Sequence, residues 1–390
     1  MKHRFVSKKY WKERPNAMGA SNAKAKAFND VINLSLGDPD LTTDRVIIDS
    51  AYQDALAGHT KYTEFRGDPE LRAEISRFYK EEYDMDVADS EILVTAAGTV
   101  AMYLTMQAIL DDGDEVILQA PYFTPYPDQV RMAGGVPVEL PTYEEENFQI
   151  SVERLESLIT ERTKAIVLNT PSNPTGSCLT LDTMKKIAAV AEKYDLIVVA
   201  DDIYTVFSYQ NPFIPFASLP GMRERTVTIN TTSKNFTMTG WRVGCIVAPD
   251  YLINVLNDIN INVMFTTPDP CQRAAIAAYR HRHEFQPAMV EEYKKRVYYA
   301  AERINGLRNM HVLYPPKGAF YMFINIKDTG LTSAEAADRI LDEAHVLLLP
   351  GTAFGECGEG FLRASCTVNC DVLGEAFDRI GQMDLFNPDK

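Results

Sequence analysis

A chain of 390 residues, 46% hydrophobic and 24% charged, is composed like an ordinary globular protein and is long enough for two domains with sizeable cores. Its 54 acidic and 39 basic residues leave a formal net charge of −15, which argues against a nucleic-acid-binding surface. Any site for a phosphorylated cofactor or an acidic substrate must therefore concentrate its own positive charge, and no apolar stretch approaches the roughly 20 residues that cross a membrane.

The chain opens on a basic segment (Lys2, Arg4, Lys8, Lys9, Lys12, Arg14) with no hydrophobic stretch behind it. It reads as an arm that docks on another subunit, not as a signal peptide. Residues 69–83 predict a helix, with Pro69 at its start and acidic residues in its first turn. Between about 92 and 248, short apolar runs alternate with longer amphipathic segments, the signature of βαβ units. The runs cover 92–95, 115–120, 136–140, 165–169, 196–200, 227–230 and 244–248; helical spacing falls at 100–110 and 181–194. Seven such runs predict an open α/β sheet. Beyond about 270 the pattern changes to a long charged helix at 272–307, a strand at 318–325, a helix at 333–344 and strands at 346–349 and 361–364. That α+β segment predicts a smaller domain, completed by the N-terminal residues. The expected division is 1–44 (arm and part of the small domain), 45–275 (large domain) and 276–390 (small domain). Six scattered cysteines without a Cys-x-x-Cys pair read as reduced thiols of a cytoplasmic protein.

In an open parallel sheet, ligands bind beyond the C-terminal ends of the strands, so the residues after each run carry the chemistry. Run 92–95 leads into a turn containing Gly98 and Thr99 at a helix start, where free N–H groups and the helix dipole favour phosphate. Run 115–120 leads to Tyr122, Phe123 and Tyr126, aromatics suited to stack on a flat ring. Run 165–169 leads to Asn173, held between Pro171 and Pro174. Run 196–200 ends at Asp201, an acid that burial makes costly without a cationic partner such as a protonated pyridine nitrogen. Tyr204 is placed to face the same ring, and Asp202 reads as a helix N-cap. Run 227–230 delivers Ser233 and Lys234, with Arg242 eight residues on. A lysine among hydroxyls at a strand end can form a Schiff base with an aldehyde cofactor, whose phosphate the hydroxyls and the arginine would hold.

From about Leu34 to Ser365 these residues, in this order, resemble the class I/II aminotransferases of fold type I, in their aspartate aminotransferase-like branch. The matching stretches are Gly37-Asp-Pro-Asp, the segment from Lys61 and Tyr62 to Gly67, Asn-Pro-Thr-Gly at Asn173, Asp-Asp-Ile-Tyr at Asp201, Ser-Lys-(six residues)-Trp-Arg at Ser233 and Phe-Leu-Arg-Ala-Ser at Phe361. The resemblance implies a large, mostly parallel seven-stranded α/β/α domain with a smaller α+β domain. It also implies pyridoxal 5′-phosphate as cofactor and transfer of an amino group between an L-amino acid and a 2-oxo acid. By it, Lys234 forms the internal aldimine and shuttles the proton between Cα and C4′, and Asp201 pairs with the ring nitrogen. Asn173 and Tyr204 contact the ring hydroxyl oxygen, and Phe123 stacks. Gly98, Thr99, Ser233 and Arg242 hold the phosphate, with Thr231 a further candidate. Arg363 clamps the substrate α-carboxylate, beside Gly37 and Asn173. Tyr62 reaches the phosphate of the neighbouring subunit's cofactor, which implies a homodimer with shared sites.

Three departures stand out. Thr99 occupies the place where some aspartate-preferring relatives carry a lysine for the distal carboxylate, so aromatic and small neutral amino acids stay open beside aspartate. Arg66 is either a substitute for that lysine or a surface arginine. Ala97 replaces a common glycine, at little cost if its backbone angles are ordinary. Two rival readings use the same fold. A carbon–sulfur β-lyase shares the scaffold, and a transcription regulator of this fold would need more than the about 30 residues before Val31 for a DNA-binding domain.

Overall fold

The structure, a computed structural model, describes residues 3–11, 19 and 23–389; of the basic N-terminal residues, Lys2, Lys12 and Arg14 lie outside these. Its centre is a seven-stranded sheet of β2 (Ile92–Thr95), β3 (Glu115–Ala120), β4 (Val136–Pro141), β5 (Thr163–Asn169), β6 (Ile197–Asp201), β7 (Thr226–Thr231) and β8 (Gly244–Val247), in the order β2-β8-β7-β6-β5-β3-β4. All seven expected runs are strands of this one sheet. Only β8 departs from the parallel arrangement, running antiparallel to both β2 and β7.

The runs read as continuously apolar because the sheet is covered on both faces. Val116, Leu118, Ala165, Val167 and Val199 pack with residues of the helices Ala97–Ile109 and Asp250–Val263. Their neighbours Ile117, Ile166, Leu168, Val198 and Ala200 pack on the other side with the helices Val152–Leu158 and Leu181–Lys193. The predicted helix Pro69–Tyr83 matches residue for residue: Asp68 caps it by accepting from the Glu70 N–H at 2.8 Å, and Pro69 occupies the first turn, where no N–H is needed.

The 37-residue helix Asp269–Asn305, about 55 Å long at 1.5 Å per residue, joins two cores. Its first half packs Ala274, Ala275 and Tyr279 against Ile47, Leu71 and Phe78, and its second half packs Tyr293, Val297 and Ile304 against the smaller sheet. That sheet is antiparallel, in the order β11-β12-β9, from β9 (Tyr321–Asn325), β11 (Leu349–Pro350) and β12 (Phe361–Ser365). The strand expected at 346–349 is in fact two. β10 (Val346–Leu347) pairs in parallel with β1 (Ile32–Asn33), and the chain crosses at Leu348 to pair Leu349 with Arg363. N-terminal residues thus complete the C-terminal part of the molecule. No helix among the described residues is long and apolar enough to cross a membrane, and all six cysteines are free.

Candidate active site

The C-terminal ends of β5, β6 and β7 are neighbours, which brings Asn169, Asp201 and Thr231 to one edge of the sheet. Beyond that edge lies a cavity of about 420 Å³. Its walls include Gly37, Gly98, Thr99, Phe123, Asn173, Asp201, Tyr204, Thr231, Ser233, Lys234, Arg242 and Arg363, nearly the whole set singled out from the sequence. Two do not line it. Tyr62 is 80% exposed, its ring edge-on to Phe265 at 4.8 Å. Arg66 is engaged elsewhere in this chain: its guanidinium donates to the Asp89 carbonyl at 2.9 Å and to Asp89 Oδ2 at 3.1 Å.

Asp201 ends β6 with its carboxylate buried. Oδ2 accepts a hydrogen bond from the Tyr126 hydroxyl, while Oδ1 is buried without a partner. Burial pushes this acid up to about 6, against the opposing pull of the Tyr126 hydroxyl. Its backbone carbonyl accepts from Asn169 Nδ2 at 2.8 Å, and Asn169 Oδ1 accepts from the Asn173 N–H at 2.7 Å, so one amide side chain ties the two ligand-facing residues together. Tyr204 is buried with its hydroxyl 2.8 Å from that of Tyr321. Asp202 is also buried but caps no helix: the short turn Thr205–Phe207 starts after Tyr204 and has no side-chain cap. The N-cap expectation fails because the chain continues past Asp202 without entering a helix there.

The helix Ala97–Ile109 starts at the cavity, and its N-cap, Ala96, supplies no side-chain acceptor, which leaves first-turn N–H groups for an anion. It begins three residues earlier than its spacing predicts. Ala97 has φ +71°, so its backbone is not ordinary and the substitution for glycine costs about 1 kcal/mol. Gly244 permits this turn to pass close, since a Cβ there would meet Ala97 C at 2.8 Å and the Gly98 nitrogen at 3.0 Å. Arg242, also left-handed at φ 57°, donates to the Thr239 carbonyl at 2.8 Å and pairs with no carboxylate among the described residues. Thr231 Oγ1 accepts from the Ser233 N–H at 3.1 Å, shaping the hydroxyl turn before the lysine.

Lys234 points into the cavity and donates to the Gly37 carbonyl. Burial lowers its ammonium to about 8; Asp38 opposes the shift, and the charges of Arg242 and Arg363 add to it. Arg363, 2% exposed, lies 4.8 Å from the rings of both Tyr321 and Phe354 and donates to Asn173 Oδ1 at 3.1 Å and to the Ser35 carbonyl. Its Nε is buried without a partner, and burial lowers its pKa. The other buried arginines each hold at least two carboxylates: Arg72 with Glu64 and Asp89, Arg282 with Glu81 and Glu82, Arg296 with Asp40 and Glu292, and Arg273 with Asp54, Asp68 and Glu70. Arg363 has none among the described residues, an arrangement that suits an anionic ligand.

Sequence reasoning gave no site role to Tyr321 or Asn169 and offered Tyr126 only for stacking. Tyr321 sits where a Cβ on Gly37 would fall 1.9 Å from its hydroxyl, so glycine at 37 is required by a contact with a residue some 280 positions away. No local signal marks it. Tyr126 and Asn169 each follow or end an apolar run, and the rule that strand ends carry the ligands applied to both.

One cavity wall thus brings together an uncapped helix start with Arg242, the buried Arg363, which holds no carboxylate among the described residues, and an amine of lowered basicity. The family model described as aminotransferase class I and II matches residues 29–380, and the chain belongs to that family. It is 39% identical over 360 residues to an aspartate aminotransferase of Pyrococcus abyssi, covering 91% of this chain and 92% of the relative. It is 37% identical over 360 residues to aromatic-amino-acid aminotransferase 2 of Thermococcus litoralis, covering 91% and 92%. The solved structure of an aromatic aminotransferase from Pyrococcus horikoshii superposes with a TM-score of 0.87 at 37% identity, covering 92% of this chain and 97% of that one. The fold is therefore fold type I, and the chain is a transaminase. These relatives favour amino-group transfer over the rival carbon–sulfur elimination.

Proposed function

We propose that the cavity binds pyridoxal 5′-phosphate and that this enzyme transfers the amino group of an L-amino acid whose side chain carries no carboxylate to a 2-oxo acid. What supports the cofactor is a pair of unmet needs facing one cavity: an acid oxygen on Asp201 without a partner and a helix start without a cap, beside an arginine without a counter-charge. Once bound, the cofactor supplies an aldehyde that takes up the amino group and a ring that spreads negative charge. Asp201 would hold the ring nitrogen protonated, and Asn173 and Tyr204 would donate to the ring oxygen. Phe123 would cover one face, and Gly98, Thr99, Ser233 and Arg242 would hold the phosphate. Arg363, beside Gly37 and Asn173, would fix the α-carboxylate and so aim the Cα–H bond. Lys234 would be the attachment point and the base: neutral above about 8 in the cofactor-free protein, it would take the proton from the substrate Cα and return it to the carbon that receives the amino group.

The substrate class rests on charge. Among the described residues of this subunit, Lys234, Arg242 and Arg363 are the cations of the cavity wall, each would have a task, and Asp38 adds a negative charge beside them. A half-reaction screen of the twenty amino acids, following cofactor absorbance, should show neutral side chains reacting at least tenfold more efficiently than aspartate; the reverse order would exclude this substrate class. Tyr62, exposed here, would serve the site of a second subunit, making the enzyme a homodimer, and its six free cysteines suit a reducing, cytoplasmic location. Its two units would be 45–275 and 276–390 with 1–44, sharing the helix Asp269–Asn305.

A further inference from the structure

We propose that Tyr126 is a positioning residue for the transamination site: it donates to one oxygen of Asp201, so that the other is presented to the ring nitrogen as a charged acceptor. The inference rests on the cofactor reading above. Tyr126 is 3% exposed, and its hydroxyl bonds Asp201 Oδ2 inside the protein. Asp201 Oδ1 is buried and left unpartnered, and both residues line the cavity. A carboxylate rotates about its last bond, and two equivalent oxygens would otherwise compete for the ring. Occupying one of them fixes the plane and leaves a single acceptor. Asn169 holds the backbone of the same residue, so Asp201 is located at both ends.

Tyr126 is itself firmly placed. It opens the helix Tyr126–Met132, its N–H donates to the Phe123 carbonyl at 3.1 Å, and its ring meets Phe123 edge-on at 5.7 Å. One short turn thus sets both the aromatic that would cover the ring and the hydroxyl that aims the acid. A tyrosine suits the task because burial and the adjacent Asp201 keep its proton on well above the usual range, so it stays a donor. The titratable groups facing Asp201 are Tyr126, Asp202 and Tyr204, with Lys234 and Arg242 across the cavity. Asp202, its own carboxyl pushed well up by burial, supplies no stabilising charge and Tyr204 is a neutral phenol, which leaves Tyr126 as the side chain that favours the ionised acid.

The test is a double-mutant cycle on the cofactor-stripped full chain, with Tyr126→Phe, Asp201→Asn and both together, titrated with pyridoxal 5′-phosphate between pH 5.5 and 8.5. Tyr126→Phe should weaken binding about 10- to 100-fold at neutral pH, the range for losing a hydrogen bond to a charged group. It should also move upward the pH below which affinity falls. In the Asp201→Asn background the same change should add almost nothing, because the acid through which it acts is gone. Unchanged affinity and pH profile in a folded Tyr126→Phe protein, or an equal loss in both backgrounds, overturns the proposal. If Asp201→Asn alone leaves binding intact, the cofactor reading itself fails. Should Tyr126→Phe not fold, 3-fluorotyrosine at 126, a stronger donor of the same shape, must shift the profile in the opposite direction; no shift overturns the proposal equally.

Discussion

Replacing Arg363 by methionine separates stability from function in a way that few positions in this protein allow. Arg296, similarly buried, holds Asp40 at 2.6 Å and Glu292 at 2.8 Å. Removing it gives up both charged hydrogen bonds, about 1.5–3 kcal/mol each, less what solvent screens at carboxylates that are 37% and 34% exposed. Arg363 holds no carboxylate, only the amide oxygen of Asn173 and a backbone carbonyl. Arg363→Met gives up those two hydrogen bonds, about 1.5–3 kcal/mol each, but also removes a cation whose burial costs several kcal/mol. The two effects offset, so the unfolding free energy of the ligand-free protein should change by less than about 2 kcal/mol. Activity should behave oppositely. Loss of the carboxylate partner should lower kcat/KM by roughly 10²- to 10³-fold, equivalent to about 3–4 kcal/mol, for every amino acid and 2-oxo acid alike. Denaturant titration of both variants, with half-reaction kinetics on several substrates, measures both sides. Equal destabilisation by Arg363→Met and Arg296→Met, or a kinetic loss confined to one substrate, would refute the reasoning.

Ala97→Gly should stabilise the protein by about 0.5–1 kcal/mol by relieving the left-handed alanine at φ +71°, and a lower melting temperature would contradict that. Lys234 binds its proton less tightly when folded, at about 8, than in the unfolded chain, at about 10.4. The cofactor-free protein should therefore gain stability from this group as pH rises from about 8 to 10, and Lys234→Met should abolish that part of the rise. Identical pH slopes for the two proteins would rule the burial effect out. For the shared dimer, Tyr62→Ala and Lys234→Ala proteins, each of low activity, should regain activity when refolded together, because a mixed dimer assembles one intact site. No recovery in demonstrably mixed dimers would place Tyr62 outside the site.

Much of this was legible because burial on both sheet faces writes itself into the sequence as apolar runs, and because ligands gather where those runs end. Strand direction was not legible: β8 differs from its neighbours only in how the chain reaches it. Residues 346–349 look like one strand because all are apolar, yet Leu348 is where the backbone leaves one sheet for another. Asp202 was misread since a buried acid beside Asp201 and a capping acid have the same local sequence. Tyr321 and the backbone of Ala97 were invisible for the same reason as each other, being set by contacts distant in the chain. Arg363 could be named from the sequence, but its lack of a counter-charge is visible only once every other buried arginine has been seen with its partners.

Borohydride treatment of the purified enzyme with pyridoxal 5′-phosphate, followed by peptide mapping, tests the central claim most directly. The account predicts a pyridoxyl label on the peptide carrying Lys234, and none on the Lys234→Ala protein. A label on another lysine, or undiminished labelling of the variant, would contradict it.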